Sequence, residues 1–164
     1  MTWQEWFFAV LGVIGLGAAV RLVTAKNVVH AALYLVVTLA VIGAVYLLLG
    51  AEFVAWVQIL IYVGAIVVLL LFGLMLTRAP IGREALDNQQ RGLAAIVSVG
   101  VLVGLIFLVN TAFGGEEIVL RPTRTGETGL SLFTDFVLPF EVVSFVLLAS
   151  LIGAVALARK EDAE

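Results

Sequence analysis

Five long apolar runs, separated by shorter polar stretches, set the pattern of this chain. They lie at about 3–23, 27–49, 53–76, 92–112 and 136–158. Each is near the ~20 residues that a helix needs to cross ~30 Å of hydrocarbon. Backbone polar groups exposed to lipid find no water, so each run is expected to be helical. The predicted fold is therefore all-α: an integral membrane bundle of five transmembrane helices, forming a single membrane domain over 1–164. Residues 24–26 and 50–52 read as tight turns, which makes the first three spans an up-down-up unit. Residues 77–91 are polar and carry Pro80 and Gly82. Residues 114–135 hold four glycines and Pro122 and read as an irregular loop. Thr134 or Asp135 is expected to cap the last helix, with Pro139 in its first turn.

Composition agrees with this pattern. The chain is 63% hydrophobic and only 13% charged, with a mean hydropathy of +1.18. Soluble domains are closer to half apolar and a quarter charged, so a soluble enzyme is excluded. The first run lacks a basic leader and a small-residue cleavage site, and is expected to be a retained span. Charge matters for its placement. Arg21, Lys26, Arg78, Arg83, Arg91, Arg159 and Lys160 fall on one side of the five spans, while Arg121 and Arg124 fall on the other. This bias predicts an N-out, C-in orientation.

Candidate chemistry is sparse. With no cysteine, thiolate-ligated clusters and c-type haem attachment are excluded. His30 is the single histidine and cannot supply a bis-histidine haem site within the chain; it is either structural or a ligand at the start of the second span. The glycines of the first span, Gly12, Gly15 and Gly17, do not make a dinucleotide fingerprint. They and the Gly100/Gly104 pair favour helix association without naming a partner. No phosphate loop, zinc spacing or nucleophile triad is present. No acid lies at mid-membrane depth, where ionisable groups are costly and usually functional. Glu52 sits at the end of the third span, either as a hydrated interfacial group or at the mouth of a proton path. Glu141 is expected in the first turn of the fifth, either stabilised by the helix dipole or touching a partner.

The third span is the most unusual. Gln58 and Tyr62 are four apart and are expected to share a helix face, which Ala65 continues. Gly64 falls near its middle, where glycine permits close helix approach or a local π-bulge. Packing alone also accounts for this spacing.

Three segments carry a family resemblance. Ala51-Glu52-Phe53-Val54-Ala55, then Gln58-Ile59-Leu60-Ile61-Tyr62-Val63-Gly64-Ala65-Ile66, then Leu71-Phe72-Gly73-Leu74-Met75-Leu76 is similar to the signature of the J subunit (subunit 6) of proton-pumping NADH–quinone oxidoreductase, respiratory complex I. Lys26-Asn27-Val28-Val29-His30-Ala31-Ala32-Leu33 resembles the start of that family's second helix, although many members carry proline at the position of Val28. Leu138-Pro139-Phe140-Glu141-Val142-Val143-Ser144 and the following Leu147 to Ala154 resemble its last helix. Some members carry glutamate where this chain has Gln58, so no ionisable group is implied there.

The resemblance implies a non-redox membrane-arm subunit with no catalytic residue and no cofactor or metal of its own. NADH, FMN, iron–sulfur clusters and quinone belong to other subunits. It implies K, A, H and N type membrane subunits and the lipid bilayer as partners, no nucleic acid, and a multi-pass position in the cell (plasma) membrane. It also implies a π-bulge at Tyr62 and Gly64 that switches as a water path opens toward acids on the K subunit. Tyr62, Gly64, Gln58 and Glu52 are thus the candidate proton-path and switch residues. An equivalent subunit of a sister complex with ferredoxin or another donor, and a purely structural subunit, are the alternatives. A self-assembled channel or transporter is disfavoured, because the chain has neither buried charge nor internal repeats.

Overall fold

A computed structural model describes residues 3–76, 91–114 and 121–159. They form α1 (Trp3–Thr24), α2 (Val28–Leu48), α3 (Glu52–Val57), a π-helical segment (Gln58–Ile66), α4 (Val67–Leu76), α5 (Arg91–Phe113), α6 (Thr125–Thr134) and α7 (Val137–Ala158). No β-strand occurs among the described residues. The run from α3 through the π segment to α4 is one continuous apolar helix of 25 residues, Glu52–Leu76. Five helices are long and apolar enough to cross a membrane, and their bounds agree with the five predicted spans to within one or two residues. At most 11% of any span is buried inside the chain. The apolar surface is covered from outside, as lipid or other membrane helices would do.

The chain divides into two compact units, Met1–Pro122 and Thr123–Glu164. In the first, α1 and α2 pack as an antiparallel hairpin. Small residues make the seam: Ala18 and Ala32 are buried, and a Cβ on Gly15 would stand 3.0 Å from Val41 Cγ1. Gly12, Gly17, Gly100 and Gly104 have open space where a Cβ would lie. The turn into α2 is set by Asn27, whose extended backbone stops α1 and whose side chain accepts the Val29 N–H at 2.9 Å. That capping bond starts the helix at Val28. The turn into α3 uses Gly50 at φ 77, a conformation that costs other residues energy. Space also demands glycine there, since a Cβ would fall 2.8 Å from Pro122 Cα. α2 then packs along α3, the π segment and α4. Among the described residues α5 packs against no other helix.

In the second unit α6 packs on α7, with the rings of Phe133 and Phe140 centred 5.0 Å apart. Three expectations are corrected here. The stretch 114–135 is not wholly irregular, because α6 forms within it. Neither Thr134 nor Asp135 caps α7: Phe136 holds the cap position without a side-chain bond, and Asp135 accepts from Ser131 Oγ at 3.3 Å instead. Pro139 does sit in the first turn of α7, but Glu141 lies one turn further on. At that depth the attraction of the positive helix end is weaker.

Candidate functional site

The third membrane helix begins as an α-helix, and α-winding gives way at Gln58. The Gln58 N–H still bonds to the Val54 and Ala55 carbonyls, and π-winding then runs through Ile66, with the Val67 N–H bonding five residues back to the Tyr62 carbonyl. π-winding is rare, is usually a single-turn bulge, and often marks functional sites. Here it spans more than a turn in the middle of an apolar helix.

Two anchors hold its ends. At the start, Gln58 is the only buried polar residue among those described, with 8% of its surface exposed. Its Nε2 donates to the Leu39 carbonyl of α2 at 3.4 Å. Gly43, one turn along α2, lets the helices approach: a Cβ there would lie 2.8 Å from Ile59 Cδ1 and 3.6 Å from Gln58 Cγ. Past the far end, Val67 is fully buried at 1% exposure. The segment between these anchors opens outward. Tyr62 is 46% exposed, and Gly64 and Ala65 are exposed as well.

The expected shared face of Gln58 and Tyr62 is therefore corrected. Gln58 is buried against α2, whereas Tyr62, four positions on, is 46% exposed. Gly64 is also not demanded by a clash among the described residues, where a Cβ would meet only the Ile59 carbonyl oxygen, at an ordinary 3.5 Å. Its missing side chain thus faces the outside of the chain, where a neighbouring helix would approach. Glu52 stands half-buried in the first turn of α3, about 15 Å along the axis from Tyr62. The structure does not bring the two together.

Gly43 and the Leu39 carbonyl escaped the sequence reading. The available signal was a glycine inside an otherwise β-branched and aliphatic helix, which often marks a close approach. No group of three or more His, Asp or Glu placed to hold a metal occurs among the described residues.

Comparison with known proteins agrees with this architecture. Residues 18–157 match the family described as NADH-ubiquinone/plastoquinone oxidoreductase chain 6. The chain is 39% identical to NAD(P)H-quinone oxidoreductase chain 6 of Leptolyngbya boryana, over 94% of this chain and 79% of that protein. It is also 39% identical to F(420)H(2) dehydrogenase subunit J of Methanosarcina mazei, over 94% and 90% of the two chains. Against NAD(P)H-quinone oxidoreductase chain 6 of a Synechocystis species the identity is 34%, over 94% and 80%. With five apolar helices and a match that begins inside the first span and ends inside the last, this chain belongs to the chain 6 family of the quinone oxidoreductases.

Proposed function

We propose that this chain is the subunit 6 membrane component of a proton-translocating quinone oxidoreductase, and that its third helix couples quinone reduction to proton movement. It is a multi-pass protein of the plasma membrane. The observation that carries the coupling role is the π segment Gln58–Ile66. Converting π-winding to α-winding exchanges each backbone hydrogen bond for another one residue away, so few bonds are lost. Absorbing one residue rotates the helix beyond it by about 100° and shifts it by about 1.5 Å. Such a motion is discrete, as a switch requires. It would sweep Tyr62 and Gly64 across the face they offer to a neighbour, opening or closing a water path beside the K subunit. Gln58 keeps the start of the segment fixed on α2. Glu52, at the end of the span, sits where such a path meets bulk water. The titrating acids lie on neighbouring K, A, H or N type subunits. NADH, FMN, iron–sulfur clusters and quinone likewise belong to other subunits.

The electron donor is not chosen by this chain. Its relatives of equal identity are named for NAD(P)H-quinone oxidoreductase in one case and F(420)H(2) dehydrogenase in the other. A subunit equally similar to both supports a role in the shared membrane step.

The test compares Gly64→Ala and Gly64→Val in the assembled complex, with subunit content checked by blotting. A β-branched residue stiffens the backbone and fills the space a neighbour needs. Gly64→Val is expected to lower quinone reduction and proton uptake together, while Gly64→Ala keeps most of both. Full assembly with normal pumping in Gly64→Val would reduce the third helix to packing.

A further inference from the structure

The turn between α1 and α2 holds a second feature, unconnected with the π segment. An open pocket of about 360 Å³ is lined there by Arg21, Thr24, Lys26, Asn27, His30 and Tyr34. Three of these side chains are basic, and among the described residues no acidic side chain lines the pocket. The first turn of α2 adds to the positive potential. Asn27 takes up the Val29 N–H and its carbonyl the Ala31 N–H, while the N–H groups of Val28 and His30 have no acceptor within the helix, as in any first turn. The Arg21 guanidinium is not loose: its Cζ stands 5.7 Å from the centre of the Tyr34 ring, within cation–π range. Thr24 Oγ1 is turned back onto the Val20 carbonyl.

The position limits what can fill such a pocket. The turn joins two spans of 22 and 21 residues, each just long enough to cross the hydrocarbon, so it lies at the level of the lipid phosphates. We infer that this pocket binds a phosphate group, and that the phosphate is the headgroup of an anionic glycerophospholipid. The Arg21 guanidinium, the Lys26 ammonium and the His30 imidazole face the phosphate oxygens, and the open end of α2 supplies backbone N–H donors. A zwitterionic headgroup leaves the excess positive charge uncompensated and binds less well. The inference does not rest on the coupling role of the third helix.

The test uses the whole complex in nanodiscs, with a trace of phosphatidylglycerol bearing a photoreactive headgroup. Labelling is mapped by mass spectrometry to peptides covering residues 21–34. Labelling that is suppressed by unlabelled phosphatidylglycerol, but not by phosphatidylcholine or millimolar inorganic phosphate, is the expected result. The double variant Arg21→Gln/Lys26→Gln should weaken it on the order of 30-fold, from the usual contribution of two basic residues at an anionic membrane surface. Lys26→Arg should retain it, and equal subunit content in all variants separates lost binding from lost assembly. Suppression by inorganic phosphate would overturn the lipid as the source. Equal suppression by phosphatidylcholine, undiminished labelling of the double variant, or no labelling of this turn because an acidic partner covers it would each overturn the site.

Discussion

Gln58 reaches across from the third membrane helix and donates from Nε2 to the carbonyl oxygen of Leu39, 3.4 Å away on α2. The bond joins the first residue of the π segment to the middle of its neighbour. The Leu39 carbonyl sits in the interior of α2, where it also accepts from the helix itself, so the glutamine uses its spare lone pair. In an apolar surrounding a buried amide needs such a partner.

Gln58→Leu should therefore be mild and Gln58→Ala worse. Leucine gives up the hydrogen bond but keeps most of the volume, and the Leu39 carbonyl keeps its helical partner. A loss of ~1 kcal/mol is expected. Alanine adds a cavity against α2 and should cost about 2 kcal/mol or more. Thermal inactivation of the purified complex measures the order. If the leucine variant proves the less stable of the two, the amide has a larger role than a tie between helices.

Gly43 carries a steeper expectation. A methyl group there meets the far end of the Ile59 side chain, which can rotate away. Gly43→Ala should assemble. Gly43→Leu forces the helices apart at the start of the π segment, with an overpacking cost of ~1–3 kcal/mol. Its subunit content in membranes should fall severalfold, as read by quantitative blotting; content equal to the parent would mean that α2 and the third helix do not pack this closely.

The spans were legible because a run of apolar residues long enough to cross lipid needs no knowledge of its neighbours. The tight turn at 24–26 was equally local, marked by polar residues between two apolar runs, although the capping role of Asn27 appears only in the structure. α6 was not legible, because Gly126 and Gly129 inside it read as breakers. Its apolar residues, Leu130 and Phe133 among them, are too few to show a period. The extent of π-winding was hidden for the opposite reason. Where every position is apolar, a pattern cannot distinguish one winding from another, and only Gln58, Tyr62 and Gly64 interrupt it. Gly43 was missed because its meaning lies in Ile59, sixteen positions away and on another helix.

Gly50 offers a test of the α2–α3 turn. At φ 77 an alanine sits in the left-handed region at a cost of ~1–2 kcal/mol, and its Cβ would press on the Pro122 backbone. Unlike Ile59, that backbone has no rotamer to change. Gly50→Ala is expected to lower subunit content more than Gly43→Ala does. The reverse order would show that this turn is not held in place by Pro122.

Orientation can be measured directly, since the chain has no cysteine. Seven basic residues against two predict the N-terminus outside and the C-terminus inside. Cysteines introduced at Glu127, exposed on α6, and at Glu161 should react with a membrane-impermeant maleimide from opposite faces. Intact cells should label the first alone. Labelling of both in intact cells contradicts a five-span topology.

Tyr62 provides the sharpest probe of the proposed water path. The residue is 46% exposed on the chain and lies within the π segment, so a neighbouring subunit can reach it. Tyr62→Phe keeps the ring and removes only the hydroxyl. Packing is then almost unchanged, and assembly should be normal. If the hydroxyl holds a water in the path, losing one hydrogen bond costs ~1 kcal/mol, which slows turnover roughly fivefold. Proton uptake and quinone reduction should fall by the same factor, because a coupled enzyme cannot lose one alone. Tyr62→Leu loses the ring as well and should also reduce subunit content. The two variants thus separate the hydroxyl from the ring. A Phe variant that assembles fully and turns over at the parental rate assigns Tyr62 to packing and moves the search for the path to Gly64 and the neighbouring subunit.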